Sequence, residues 1–348
     1  MKPSILICAT CCMAASVFNA NAQDQYTEYL GAIKTSPQPM CMAINSLGHL
    51  VYGTFSGPNS ALILIEDPDA AVGNENDLSS TITVNNGFAA GRGYQTISVG
   101  PNDILFASGD TGNAAIANIW AFGRVGEAPY YSEITSFANN ATAANAGRRS
   151  SVAVVSTTGN GLLITSGFST GHYFDFNGNL VGSPLTGGSN YIREIVYNST
   201  DNILYALRNG NNSNNMIDYY WTGINPTTGG GTFVASTLID DGASNSGTGT
   251  AAQNGFYFAE QNQLVTLDGT VNIGGERVQP QVRVWDLNEN GTSVSLAYAI
   301  DGISETEKFN NLGDAVIHND RLYIDAPSSA SIFVFGLPGS RVSDWKEY

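Results

Sequence analysis

A two-strand unit that occurs six times along the chain restricts the fold more than any other feature. Each copy is an apolar strand, a tight polar turn and a second strand that opens on two apolar residues; the copies span residues 42–52, 96–106, 152–164, 195–205, 256–265 and 315–324. A third strand follows each pair, as in Leu62-Ile63-Leu64-Ile65 and Ile332-Phe333-Val334-Phe335, and a fourth follows most, as in Val294-Ser295-Leu296-Ala297-Tyr298. Four short strands recurring every ~40 to 60 residues predict the blades of a β-propeller. The last copy has no fourth strand of its own, while Tyr26 to Ile33 is an apolar-periodic strand with no blade. It is expected to complete the last blade, closing the ring and leaving no long free edge. The expected architecture is therefore all-β: a six-bladed propeller of four-stranded antiparallel blades. A seven-bladed ring and a β-helix are the alternatives.

Composition agrees with this class. Only 13% of the 348 residues are charged, about half the usual ~25%. Asn (35) and Gly (39) make up the polar balance; both favour turns over helix interiors. No stretch carries sustained helical periodicity, which excludes helical bundles and coiled coils. A hydrophobic content of 42% excludes global disorder. The net charge of -16 excludes nucleic acid and anionic membranes as partners, since both require basic surface.

Met1-Lys2, the apolar run Ile5 to Phe18 and the triplet Ala20-Asn21-Ala22 have the form of a signal peptide cleaved before Gln23. The apolar run is shorter than the ~20 residues that span a bilayer. The expected organisation is a signal peptide at 1–22, one propeller domain at 23–339 and a C-terminal tail at 340–348. The mature protein is expected to be secreted, periplasmic or on the cell surface, without membrane insertion. Cys8, Cys11 and Cys12 fall in the leader, leaving Cys41 alone in an apolar strand, so no intramolecular disulfide can form and a buried thiol is expected.

The segment Ala43-Ile44-Asn45-Ser46-Leu47-Gly48-His49-Leu50-Val51-Tyr52 resembles the inner strands of NHL-repeat and gluconolactonase-like six-bladed propellers. The resemblance is one of pattern, extends over nearly the whole mature chain, and implies fold. The acid and amide ligands that hold the divalent metal of gluconolactonase-like enzymes have no matching motif in this chain, so that activity is not implied.

Ligands of propellers usually bind at the channel mouth, beside the loops that lead into the inner strands. Basic residues are scarce, yet Arg92, Arg148, Arg149, Arg193 and Lys308 stand just before or at the start of inner strands. Their donors could grip a carboxylate, sulfate or uronate. Asp110, Asp240, Asp241, Asp268, Glu276, Asp301, Glu305 and Glu307 fall on the same face, so charge-paired surface residues are the competing reading.

Other motifs are weaker. Gly167-Phe168-Ser169-Thr170-Gly171 matches a nucleophile elbow, but that mechanism needs a strand feeding a helix, and here a hairpin is expected. Asp286-Leu287-Asn288-Glu289-Asn290-Gly291 reproduces half of a Ca²⁺ loop, with Ala297 where the bidentate Glu should stand. Residues 67–77 gather oxygen donors without a recognised metal spacing, and His49 and His318 occupy equivalent turns of the first and last blades with no third ligand in reach. Asn140, Asn198, Asn211 and Asn290 begin glycosylation sequons.

The sequence thus favours a binding or interaction module over an enzyme. Its expected partner is an extracellular small molecule, glycan or protein at the channel mouth, polar and on the arginine reading anionic. No cofactor is implied, Ca²⁺ being the one ion with a partial motif. A metal-assisted lactonase, hydrolase or lyase on the same face and a structural envelope or matrix component are the alternatives.

Overall fold

The structure, a computed structural model, describes residues 28–35, 38–54, 60–73, 79–82, 93–110, 119–126, 130–137, 151–156, 162–167, 170–188, 192–208, 215–240, 254–267, 271–273, 276–278, 280–304 and 306–337. Antiparallel sheets follow one another along the chain as a β-propeller. The first blade is built from Pro39–Ile44, Leu50–Thr54, Leu62–Ile65 and Ser79–Ile82, and the second from Gly93–Val99, Leu105–Asp110, Ile119–Arg124 and Tyr131–Glu133. The fourth repeat (Ile192–Asn198, Ile203–Arg208, Tyr220–Thr222, Thr232–Val234) and the fifth (Asn254–Phe258, Gln263–Leu267, Val282–Leu287, Val294–Ile300) are also four-stranded. Ala315–His318, Arg321–Ala326 and Ser331–Gly336 form the last blade, and the N-terminal strand Tyr29–Lys34 pairs with its outer strand, Ile33 opposite Ile332.

Five four-stranded blades are therefore present among the described residues, not the six expected. The exception is the third repeat, where Ser151–Val154, Leu162–Gly167 and Thr170–Asp175 make a three-stranded sheet. Its outer edge is covered by residues 180–185, which return alongside it but cannot run as a regular strand. Gly182 (φ 63°) and Gly187 (φ 94°) are left-handed, and Pro184 has no N–H to donate. Only Val181 and Leu185 donate across, to Tyr173 and Gly171, before Ser183 docks on Thr228 and Gly230 of the next blade. The innermost strand of this sheet still lies between those of its neighbours, so the inner strands form a closed ring.

The ring is held by side chains that alternate between two neighbours. Val51 and Leu64 face the second blade, packing with Tyr94 and Trp120, whereas Tyr52 and Ile63 face the last blade, packing with Tyr323 and Ile332. Leu204 and Tyr205 divide in the same way between the third repeat and the fifth blade. With a period of two and both faces buried, the middle strands must be almost continuously apolar, which is why they read as runs such as Leu62-Ile63-Leu64-Ile65. Fully buried aromatics fill these interfaces, Trp120, Trp221 and Phe174 among them, and each contributes on the order of 3 kcal/mol through burial. The inner hairpins turn on Asn202, Asn262, Asn319 and Asp320, all at positive φ, a conformation that Asn and Asp tolerate. The high Asn content thus has a structural use.

Polar contacts brace the seam between the first and last blades. Asp69 accepts hydrogen bonds from Arg321 Nη1 at 2.7 Å and from the Tyr323 hydroxyl, and Gly73 N–H donates to Ala32 of the N-terminal strand at 3.0 Å. Between the first and second blades, Asp103 accepts from Ser46 N, Ser46 Oγ and Arg124 Nη1. A Cβ at Gly182 would overlap the Thr228 carbonyl in a left-handed conformation that L side chains rarely adopt. Gly182→Ala is therefore expected to lower stability by about 1–3 kcal/mol, read as a lower urea midpoint with unchanged slope; an unaltered midpoint would contradict the packing of the third repeat against the fourth.

Candidate functional site

The inner strands enclose a central channel of about 850 Å³. Strand register sorts its wall into levels. At one level of the inner strands stand Cys41, Thr96, Ser151, Glu194, Asn254 and Asp314, one from each repeat and all buried; Thr96, Glu194, Asn254 and Asp314 also line the channel. Three of these side chains, Thr96, Ser151 and Asp314, accept backbone donors from the next repeat. Val152 N–H reaches Thr96 Oγ1 (3.1 Å), Ile195 N–H reaches Ser151 Oγ (2.9 Å), and Met42 N–H reaches Asp314 Oδ2 (2.7 Å). Ser151 Oγ also donates to Glu194 Oε1 at 2.7 Å. A ladder edge that faces a channel has unpaired N–H groups, and these side chains satisfy them.

Further along the axis the wall becomes apolar and aromatic. Ile44, Val99, Val154, Tyr197, Tyr257 and Ile317 occupy one level, all partly exposed to the channel. The two tyrosines are fixed by their hydroxyls: Tyr197 donates to Asn202 Oδ1 (3.1 Å), and Tyr257 donates to Asn262 Oδ1 (3.0 Å) while its oxygen pairs with the Thr200 hydroxyl (2.7 Å). Four carboxylic acids (Glu194, Glu260, Asp314, Asp320) and His318 line the channel, and no Lys or Arg is among its described lining residues. Among the described residues, no three His, Cys, Asp or Glu groups converge so as to hold a metal ion.

The residues singled out from sequence fare differently. Arg92, Arg148 and Arg149 lie outside the described residues; Arg193 lies in the inner strand Ile192–Asn198, but its side chain is outside the description. Lys308 donates to Asp301 Oδ1 at 2.8 Å, an ion pair across the 301–309 turn. Ser169 lies outside the described residues, between two strands paired as a hairpin. In the Asp286–Gly291 turn, Asn288 Oδ1 caps Thr292 and Ser293 N–H, and Asp286 Oδ1 accepts from Gln263 Nε2, so these oxygens serve hairpin geometry. Asp175 caps its own turn in the same way. The described part of the 67–77 loop uses Asp69 at the seam. His318 packs against Gly48, as expected for turns of neighbouring first and last blades, while the His49 ring meets Tyr130 edge-on. Burial lowers the pKa of His172. Asn198 is fully buried with its amide donating to Asp201 and Tyr205, so that sequon is inaccessible, whereas Asn290 is exposed; Asn140 and Asn211 lie outside the description.

Sequence reasoning missed Asp314 and Asp325. Asp325 interrupts the apolar strand Arg321–Ala326, and an acid within such a run was the one available signal. Cys41 lies beside this pair, and its thiol is pushed well above its ordinary range by burial and then by the charges of Asp314 and Asp325. In a chain beginning at Gln23, where Cys41 is the sole thiol, a chromogenic thiol reagent is expected to react only after unfolding. Native labelling at the unfolded rate would contradict this packing.

No family model matches the chain, and no curated protein matches it; the resemblance to NHL-repeat and gluconolactonase-like proteins thus stands at the level of the propeller fold. Solved structures do match. A chain of a mitotic checkpoint complex crystal structure is 9% identical over 97% of this chain and 99% of its own, with a TM-score of 0.50. A calcium structure of a Trichoderma reesei carbohydrate-active enzyme of family AA12 is 12% identical over 91% of this chain and 98% of its own, also with a TM-score of 0.50. At such identities these likenesses concern the fold alone.

Proposed function

We propose that this chain is an exported β-propeller that works as a binding module, with its ligand seated in the central channel. The observation that carries the reading is the channel itself: its volume of about 850 Å³ falls within the usual range of small-molecule sites, and its wall joins apolar and aromatic surface to a few fixed polar groups. Export follows from the leader-like first 22 residues, and the propeller domain is taken as 23–339. The described wall carries carboxylates and amides without a Lys or Arg, which favours a neutral polyhydroxylated or cationic ligand over an anion. An anionic ligand would depend instead on Arg92, Arg148, Arg149 and Arg193, which precede or begin inner-strand repeats in the sequence.

The test is thermal unfolding of the chain from Gln23 with neutral oligosaccharides, polyamines, uronides and Ca²⁺, each compared with an EDTA-treated control. Ca²⁺ is included because one fold neighbour is a calcium structure of a carbohydrate-active enzyme. A ligand at 100 times its Kd should stabilise the fold by about 2.7 kcal/mol. A neutral or cationic probe is expected to raise Tm, and Val99→Trp, which fills the channel, should abolish that shift while leaving the unliganded protein folded. Stabilisation by uronides alone would return the reading to the arginines. A shift that survives Val99→Trp would move the site out of the channel.

A further inference from the structure

The seam between the last and first blades contains two facing carboxyl groups, one of which, Asp314, also lines the channel. Asp314 and Asp325 face each other on adjacent strands: Asp314 N–H donates to Asp325 Oδ1 (2.9 Å), and Asp325 N–H donates to the Asp314 carbonyl (2.8 Å). Asp325 is fully buried and Asp314 is 7% exposed. Both Asp314 oxygens are occupied by backbone donors, Oδ2 by Met42 of the first blade and Oδ1 by Ala315 (2.8 Å). Asp325 Oδ2 is buried without a hydrogen-bond partner. The group cannot swing away, because Gly313 and the Met40 carbonyl close over it so tightly that a Cβ at 313 would overlap Asp325 Oδ1.

Among the described residues, the titratable groups that bear on the pair are acids. Cys41 approaches from the inner strand of the first blade, and Glu194 bears on Cys41 from the fourth repeat. Tyr94 of the second blade lies against Gly53 and Cys41, with Glu133 bearing on it in turn. Among the described residues no Lys, Arg or His forms an ion pair with either carboxyl. Two buried carboxylates with no cation paired to them among the described residues strongly disfavour double ionisation.

We propose that Asp314 and Asp325 form a proton-retaining pair, with a proton on Asp325 Oδ2, and that this proton keeps the seam closed by leaving Asp314 as the acceptor that fastens Met42. Burial pushes both groups up, Asp314 to about 7 and Asp325 well above its ordinary value, with help from the charge of Asp314. Both pKa values are raised above those of the unfolded chain, so the native state holds protons that the unfolded state has released. The stabilisation is complete below about pH 4 and drains as pH rises through 7 and beyond. Each retained proton lowers the folding equilibrium constant by up to tenfold per pH unit in that window.

Two measurements on the chain from Gln23 decide the matter. In urea titrations from pH 5 to 8, Asp325→Asn, which keeps the Oδ1 acceptor but cannot ionise, should gain on wild type by up to tenfold in folding equilibrium constant per pH unit. Parallel pH profiles would overturn the proposal. Native hydrogen exchange of wild type, corrected for base catalysis, supplies the second readout and holds even if that variant does not fold. Met42 N–H, bound to Asp314, should lose protection as pH rises, while Ile195 N–H, bound at the same level to the neutral Ser151 hydroxyl, should keep it; equal behaviour of the two amides would equally overturn the proposal.

Discussion

Everything in this molecule depends on joining the two ends of the chain in one sheet. A propeller blade buries both faces against its neighbours, so a ring with one open interface would expose a complete apolar surface. The hydrogen-bond ladder between Tyr29–Lys34 and Ser331–Gly336 prevents this by making the last blade a product of both termini. The contacts of Asp69 with Arg321 and Tyr323 then tie the outer part of the first blade to that closure, and Met42 with Asp314 ties the inner part. The polar seam is more than decoration, since loss of the ladder alone would unmask Tyr52, Ile63, Tyr323 and Ile332 together.

Much of this was legible in the sequence, and the reason is physical. Strands buried on both faces must be apolar at consecutive positions, and their turns must accept positive φ. Runs such as Leu62-Ile63-Leu64-Ile65 beside Asn- and Gly-containing turns therefore announce themselves. The orphan strand at the N-terminus was legible by subtraction. The count of regular blades was not, because the failure of the third repeat lies in its outer edge. Apolar Val181 and Leu185 reach Tyr173 and Gly171 as a fourth strand would, but Gly182 and Pro184 prevent them from making a ladder. A pattern of apolar residues cannot tell a strand from a segment that only follows one.

The candidate site was far less legible. Sequence reasoning looked to cations because they are rare and cluster before inner strands; Arg92, Arg148, Arg149 and the Arg193 side chain lie outside the described residues, and Lys308 is held by Asp301. What makes the inner strands distinctive is one buried residue per repeat at a fixed level: Thr96, Ser151, Glu194, Asn254 and Asp314, with Cys41 completing the set. In the linear sequence these are unremarkable polar residues at strand beginnings. Register alone aligns them, and register is fixed by bulges, as at Tyr94/Thr96 and Ile192/Glu194, which composition does not reveal.

One consequence follows from Asp314 having two roles. It lines the channel and also receives Met42 N–H across the seam, so the charge state of the cavity wall and the closure of the ring share a group. Linkage then requires reciprocity: any cation that binds beside Asp314 must ease the loss of the proton that the Asp314–Asp325 pair retains, and loss of that proton must strengthen the binding of that cation by the same factor. A neutral ligand resting on Tyr197 and Tyr257 would feel no such term. The pH dependence of binding therefore distinguishes a ligand held by the aromatic level of the wall from one held by the buried acids, because only the second is obliged to titrate with the seam.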